Sequence, residues 1–161
     1  MAYKFSLPTF DDLNPKQRVA VLAEGAVAIS GGPGTGKSVV AVWRHVNNYQ
    51  ANRSRSVLLT YTKSLRFFLE NCVVSLAQEE QDQQRKARIM SASKEIPLAN
   101  SWNGSTYDEI IIDEAQDIPE QPIDGWSKGN LQYFKRFAPI ISYGADDRQI
   151  VYPQKSTTER R

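Results

Sequence analysis

The stretch GGPGTGKS, residues 31–38, constrains this chain more than any other part of its sequence. It fits the pattern G-x-x-x-x-G-K-[ST] and lies between an apolar run, AVAIS, and a run with helical spacing, VVAVWRHV. Glycines let consecutive backbone N–H groups turn toward an anion, and the following helix adds the positive end of its dipole. The pattern therefore predicts a strand, a phosphate-binding loop and a helix. A merely structural glycine-rich turn is the alternative interpretation.

Each residue type in this loop has an expected task toward a nucleoside triphosphate. Lys37 is expected to lie along the β- and γ-phosphates, and the Ser38 hydroxyl is expected to ligate Mg²⁺. The residues predicted to bind the cofactor in this loop are Gly32, Gly34, Thr35, Gly36, Lys37 and Ser38.

The second candidate site is a group of acidic residues that follows three consecutive isoleucines in YDEIIIDEAQD, residues 107–117. An uninterrupted apolar run of this kind predicts a central parallel strand that delivers its carboxyl end to a site. Asp113 is then expected to hold Mg²⁺ together with Ser38, and Glu114 to polarise the attacking water. A helix N-cap is the alternative role for Asp113.

The rest of the chain alternates between helical and strand patterns, which predicts an α/β fold with a three-layer, mostly parallel sheet. Helices are predicted after the N-cap Asn14, from Lys37 to Tyr49, over 63–77 and over 130–137; strands are predicted at 26–30, 57–62, the isoleucine run and the segment after Pro139. Val19, Leu22 and Ala23 fall at helical spacing in the first of these helices. ARIMSA, 87–92, is interpreted as a strand, and the polar segment 78–88 as a solvated helix extension or a surface linker.

Composition sets outer limits on the class of protein. The 161 residues suit one compact domain, residues 1–161. A single cysteine, Cys72, excludes an internal disulfide and favours a reducing, cytoplasmic setting, with buried packing as its expected role. The apolar runs are too interrupted to span a bilayer and no signal peptide is visible, so no membrane partner is expected. The net charge of +2 is too mild to demonstrate nucleic-acid binding.

Taken together, GGPGTGKS, IIIDEAQD and their flanking segments resemble the first RecA-like motor domain of superfamily-one helicases, the group that includes the bacterial repair and replication-restart DNA helicases. The resemblance implies a RecA-like ATP-binding domain in which hydrolysis of Mg-ATP is coupled to single-stranded nucleic acid. DNA is the expected partner and RNA the alternative. The implied cofactors are ATP and Mg²⁺.

Three further segments carry the resemblance and imply roles for their residues. NPKQR, 14–18, is similar to the upstream glutamine motif and implies that the Gln17 amide reads the adenine edge. TYTKS, 60–64, resembles a motif that contacts single strands, and ADDRQIVY, 145–152, one that couples the γ-phosphate to the nucleic-acid track. The implied residues are Thr60, Tyr61 and Lys63 for the nucleic acid, and Asp146 and Gln149 for the coupling.

The sequence departs from the family pattern after ADDRQIVY, where no counterpart of the second RecA-like domain follows. That domain, or a partner protein, is expected to supply the arginine fingers, which are worth about 10³ to 10⁵ in rate in phosphoryl transfer. The chain is therefore expected to bind Mg-ATP and to hydrolyse it slowly or not at all by itself, as a fragment of a longer helicase. A free-standing nucleotide-binding regulatory module is the alternative hypothesis.

Overall fold

The computed structural model describes residues 7–30, 37–60, 62–99, 102–113 and 131–145, which form a parallel sheet with helices packed against it. In chain order the helices are α1 (Pro15–Leu22), α2 (Lys37–Gln50), α3 (Lys63–Glu79), α4 (Gln83–Ser93) and α5 (Leu131–Lys135). The strands are β1 (Ala28–Ser30), β2 (Ser56–Leu59), β3 (Glu109–Ile112) and β4 (Ile140–Ala145).

The four strands lie in the order β1-β4-β3-β2, and all three pairings are parallel. β3, which contains the three isoleucines, lies between β4 and β2, and each of its residues is buried. The predicted central strand is therefore confirmed, and so is the α/β character of the fold. The finer three-layer, RecA-like arrangement stays a prediction. Because the strands are parallel, their carboxyl ends meet at one edge of the sheet, which we call the carboxyl edge.

Apolar side chains on the two faces of the sheet belong to two separate cores. Successive side chains along a strand point to opposite faces. Leu58 and Ile111 accordingly pack with the buried residues of α2, α3 and α4. Their neighbours Leu59 and Ile112 pack with Phe134 of α5. Helix α2 thus covers one face and presents the buried Val40, Val42, Trp43 and Val46 to it.

Helix α1 begins as predicted but buries a different side. Asn14 caps it by accepting a hydrogen bond from the Gln17 backbone N–H at 2.8 Å, and Pro15 is its first residue. Val19 and Leu22, which fall at helical spacing, are 66 % and 50 % exposed, whereas Val21 is fully buried. The face that the spacing of Val19 and Leu22 defines is therefore not the buried one. The last turn of α1 is held through its backbone carbonyls by arginine side chains, described below, so its orientation does not follow its apolar spacing.

The region after α3 also differs from expectation. ARIMSA is not a strand, because residues 83–93 form α4. The Asp82 carboxylate caps this helix by accepting from the backbone N–H groups of Gln84 and Arg85. Ile89, Ala92 and Ser93 are buried at helical spacing, a pattern that a six-residue window hides. The polar segment 78–88 therefore spans the end of α3, a short turn and the exposed first half of α4.

Trp102 anchors the second core. It is 8 % exposed, and its ring lies 5.4 Å from that of Phe137, centroid to centroid. The adjacent Gly104 has a φ of +88°, and a Cβ atom there would lie 2.6 Å from the Phe137 ring. Glycine is needed at this position because both the backbone conformation and the aromatic contact exclude a side chain.

Among the described residues, no helix has both the length and the apolar character that crossing a bilayer requires.

Candidate nucleotide site at the carboxyl edge

The structure brings together two residues that the sequence analysis assigned to one metal ion. The Ser38 hydroxyl donates a hydrogen bond to Asp113 Oδ2 at 2.8 Å, although the two residues are 75 positions apart. Ser38 lies in the first turn of α2, and Asp113 directly follows β3. Asp113 is fully buried, and its backbone N–H donates to the Leu59 carbonyl at 3.1 Å, which fixes it to the neighbouring strand.

This pair of oxygen-bearing side chains fits a magnesium ion that is held mainly by a nucleotide. Mg²⁺ prefers hard oxygen ligands and commonly takes one or two from the protein, with phosphates and waters completing its shell. In the described ranges, no group of three or more His, Cys, Asp or Glu side chains could hold a metal by itself. Ser38 and Asp113 could supply two such oxygens, with phosphates and waters completing the shell of a bound ion.

The topology leaves room for a loop between the two halves of the site. β4 lies between β1 and β3, so the strand that enters GGPGTGKS ends about 10 Å from the strand that ends at Asp113. Ser38, in the first turn of α2, contacts Asp113 at this edge. Residues 31–36, with the predicted phosphate contacts of Gly32, Gly34, Thr35 and Gly36, lie outside the described residues, as does Glu114.

Lys37 begins α2 and is only 8 % exposed. No carboxylate of the described residues forms an ion pair with Lys37. The ion pair found among the described residues joins Arg44 to Glu109, at the opposite edge of the sheet. A largely buried ammonium group is costly unless a counter-charge accompanies it. At the positive end of a 14-residue helix, this group favours an anionic ligand.

Gln17, predicted to read adenine, takes part in the cap of α1. Its Oε1 accepts from the Asn14 backbone N–H at 2.9 Å, which completes a reciprocal capping box. The structure thus gives Gln17 a local task at the start of the helix. Its predicted contact with the nucleotide base stays a prediction.

The segment predicted to contact nucleic acid follows β2, at the same carboxyl edge as Asp113. Lys63 is exposed in the first turn of α3. Thr60 is fully buried, so in this structure its side chain has no surface to offer a nucleic acid. Tyr61, Asp146 and Gln149 lie outside the described residues.

Sequence reasoning missed a buried polar network at the opposite edge of the sheet, centred on Glu109 at the start of β3. Arg44 Nε donates to Glu109 Oε2 at 2.6 Å, and both side chains are at most 2 % exposed. Asn48 Nδ2 donates to the other carboxylate oxygen at 2.9 Å, and the Ser142 hydroxyl donates to Oε2 at 2.6 Å. One carboxylate thereby joins α2 to β3 and β4.

The same arginine also holds the chain that leads into β1. Its two terminal nitrogens donate to the carbonyl oxygens of Ala20, Ala23 and Gly25 at 2.7 to 2.9 Å. Arg53 repeats the arrangement by donating to the Leu22 carbonyl at 2.8 Å. The free carbonyls at the end of α1 are thus satisfied by guanidinium groups. The sequence feature that could have revealed this buried network was a single arginine within the apolar run VVAVWRHV.

His45 is also fully buried, and both of its ring nitrogens have a hydrogen-bond partner. Nε2 lies 2.9 Å from the Ala92 carbonyl and Nδ1 lies 2.8 Å from the Ser56 hydroxyl. Because a carbonyl only accepts, Nε2 carries the proton, and Nδ1 accepts from Ser56. Burial lowers the pKa of His45 from 6.5 to about 4, since the charged imidazolium is poorly solvated there.

This pKa predicts a specific loss of stability in acid. Between pH 6.5 and 4 the unfolded chain binds a proton at His45 and the folded chain does not, so stability falls as the pH falls through this window. Below pH 4 this contribution is fully lost. The free energy of unfolding lost across this pH window is about 3 kcal/mol. Urea unfolding at pH 7 and pH 4 measures it, and in His45→Gln the difference between the two pH values should shrink by that amount; equal differences in both proteins would contradict the assignment.

Cys72 has the packing role expected for it. Its side chain is 8 % exposed, and burial raises the pKa of the thiol to about 11. The thiol therefore stays protonated at neutral pH, and a protonated thiol is a poor nucleophile.

Comparisons with known proteins agree with the nucleic-acid side of the sequence analysis. No curated protein matches the chain. Residues 24–161, which include both the phosphate-loop motif and Asp113, match the family model described as "Schlafen group 3, DNA/RNA helicase domain". The expectation of a helicase-type domain is confirmed at this level, while the narrower assignment to superfamily one stays a prediction. This protein chain belongs to the Schlafen group 3 helicase-domain family.

Proposed function

We propose that this chain is the Mg-ATP-binding part of a RecA-like, superfamily-one type helicase or translocase, in which ATP hydrolysis is coupled to single-stranded nucleic acid. The observation that carries the proposal is the 2.8 Å hydrogen bond between Ser38 and Asp113. It joins the end of the phosphate-loop motif to the acidic motif in one place. Membership of a DNA/RNA helicase-domain family supports the same conclusion.

The described residues would divide the binding of the nucleotide between them. Lys37 supplies a positive charge at the start of α2, and its burial without a carboxylate partner in the described residues favours the phosphates as its counter-charge. Ser38 and Asp113 hold an oxygen pair in fixed orientation through their mutual hydrogen bond. Bound Mg²⁺ would neutralise developing charge on the phosphates. Glu114, the next residue along the chain, is proposed to orient the attacking water.

Coupling to nucleic acid is supported by the shared edge of the sheet. β2 and β3 are adjacent and parallel, so the segment after Leu59 and the segment after Ile112 leave the sheet side by side. Lys63 is exposed at the start of α3, shortly after β2, and with Tyr61 it is proposed to contact the sugar-phosphate backbone and a base of a single strand. Gln149 is proposed to report loss of the γ-phosphate to that strand.

A nucleotide titration tests the proposal directly. We expect the chain to bind ATP in the presence of Mg²⁺, more weakly in EDTA, and to hydrolyse it slowly, because the resemblance places the arginine fingers on a second RecA-like domain or a partner protein. Calorimetry measures the binding, and phosphate release measures turnover with and without single-stranded DNA or RNA. Absence of Mg-ATP binding would refute the proposal, and vigorous hydrolysis stimulated by a single strand would refute the expected need for an external arginine.

A further inference from the structure

Thr60 lies beside Asp113 at the carboxyl edge of the sheet. The register of the two strands pairs Leu59 with Ile112, so Thr60 and Asp113 are the next residues in register. Side chains alternate along a strand, so these two share the face of Leu58 and Ile111, which is the face that α2 covers. Ser38 reaches Asp113 from the same helix.

The backbone of Thr60 is fixed from one side by the segment after α4. Its N–H donates to the Pro97 carbonyl at 3.3 Å, and its carbonyl accepts from the Ala99 N–H at 2.7 Å. The side chain is completely buried. In the described part of the chain, Thr60 Oγ1 is the one buried side-chain polar atom that has no hydrogen-bond partner.

An unpaired buried hydroxyl costs free energy, because the group has given up its hydrogen bonds to water without replacement. Valine has nearly the same shape and would avoid that cost. Such groups in native proteins are commonly satisfied by a water, an ion or a ligand at a functional site. Here the neighbours are a buried carboxylate and the first turn of α2, which are the elements of the proposed nucleotide site.

We propose that Thr60 is a positioning residue of this site, an inference that rests on the proposed function. Its hydroxyl has no water-accessible surface in this structure, so it becomes hydrogen-bonded only when the ion held by Ser38 and Asp113 shifts its neighbours enough to admit a water that accompanies that ion. Mg²⁺ keeps several of its waters when it binds to proteins, so such a partner would arrive with the ion. This assignment replaces a direct side-chain contact between Thr60 and nucleic acid, which its burial disfavours.

The test compares Thr60→Val with Thr60→Ser in the full chain. Thr60→Val is expected to keep or raise the melting temperature of the free protein, because it removes an unpaired polar group. The same variant is expected to weaken Mg-ATP binding about tenfold, the effect of losing one hydrogen bond in a charged site, while ATP binding in EDTA stays unchanged. Thr60→Ser keeps the hydroxyl and should bind Mg-ATP within about twofold of the wild type.

Each other outcome overturns the inference in a recognisable way. Wild-type Mg-ATP affinity in Thr60→Val would show that the hydroxyl has no task at the site. A lowered melting temperature, or failure of this variant to fold, would show a structural role. Loss of single-strand affinity with unchanged Mg-ATP affinity would restore the nucleic-acid contact. If the wild type itself does not bind Mg-ATP, the proposed function is refuted together with the inference. If the wild type binds Mg-ATP and Thr60→Val binds it equally well, only the role of Thr60 is refuted.

Discussion

Replacing Arg44 with methionine is expected to lower the free energy of unfolding by about 3–5 kcal/mol, because it leaves the Glu109 carboxylate buried without its counter-charge. The same change frees three carbonyl oxygens at the end of α1 and before β1. Methionine keeps much of the length of the side chain, so the loss reports charge and hydrogen bonding more than packing. Urea unfolding at neutral pH measures it.

Two control variants separate the ion pair from other effects of the substitution. Arg53→Met removes the exposed arginine that contacts the same helix end, and it should cost far less because no carboxylate is left unpaired. Arg44→Met combined with Glu109→Leu removes both charges and should recover part of the lost stability, since an apolar pair needs no hydration. A double variant as unstable as Arg44→Met alone would contradict the view that the orphaned carboxylate causes the loss.

Lys37→Ala is expected to reduce Mg-ATP affinity by about tenfold to a hundredfold. This is the range that the loss of one or two charge-assisted hydrogen bonds represents. The fold should survive, because the ammonium group makes no ion pair with any described carboxylate and its removal takes a buried charge out of α2. Calorimetric titration with Mg-ATP and a thermal melt of the free protein together measure both expectations.

Lys94→Ala serves as the matched control for that experiment. Lys94 is an exposed lysine just after α4, away from the Ser38–Asp113 pair in the fold, and its removal changes the net charge by the same amount. It should leave Mg-ATP affinity unchanged. Equal affinities in Lys37→Ala and the wild type would count against the nucleotide site, whereas equal losses in both lysine variants would indicate a nonspecific effect of charge.

Predictions from the sequence were correct where the residues that determine a structural feature lie within one short segment. Asn14 followed by Pro15 marks a helix start with a side chain and a fixed φ angle, and α1 begins there. The isoleucine run is apolar on both faces, which suits only a strand covered on both sides, and β3 is central and buried. Ser38 and Asp113, from two separate motifs, do meet in a hydrogen bond, while the ion that they are expected to share stays a prediction.

Other features depend on which segments meet after folding. Val19 and Leu22 lie at helical spacing, yet the face they define is exposed, because guanidinium groups hold the end of α1 by its carbonyls. Nothing within a short window around Thr60 distinguishes a surface threonine from a buried one. Its burial follows from the return of the chain at residues 97–99, which pairs with its backbone.

The sequence by itself determined the phosphate-loop pattern, the acidic strand end, the alternation of helices and strands and the similarity to helicases. Each of these depends on residues that lie close together along the chain. Tertiary structure decided that Arg44 would pair with Glu109, 65 positions away, and that Thr60 would lie buried beside Asp113. The physical reason is that burial and ion pairing depend on the order and register of the strands and on which helix covers which face. Those relations exist only once the sheet β1-β4-β3-β2 has formed.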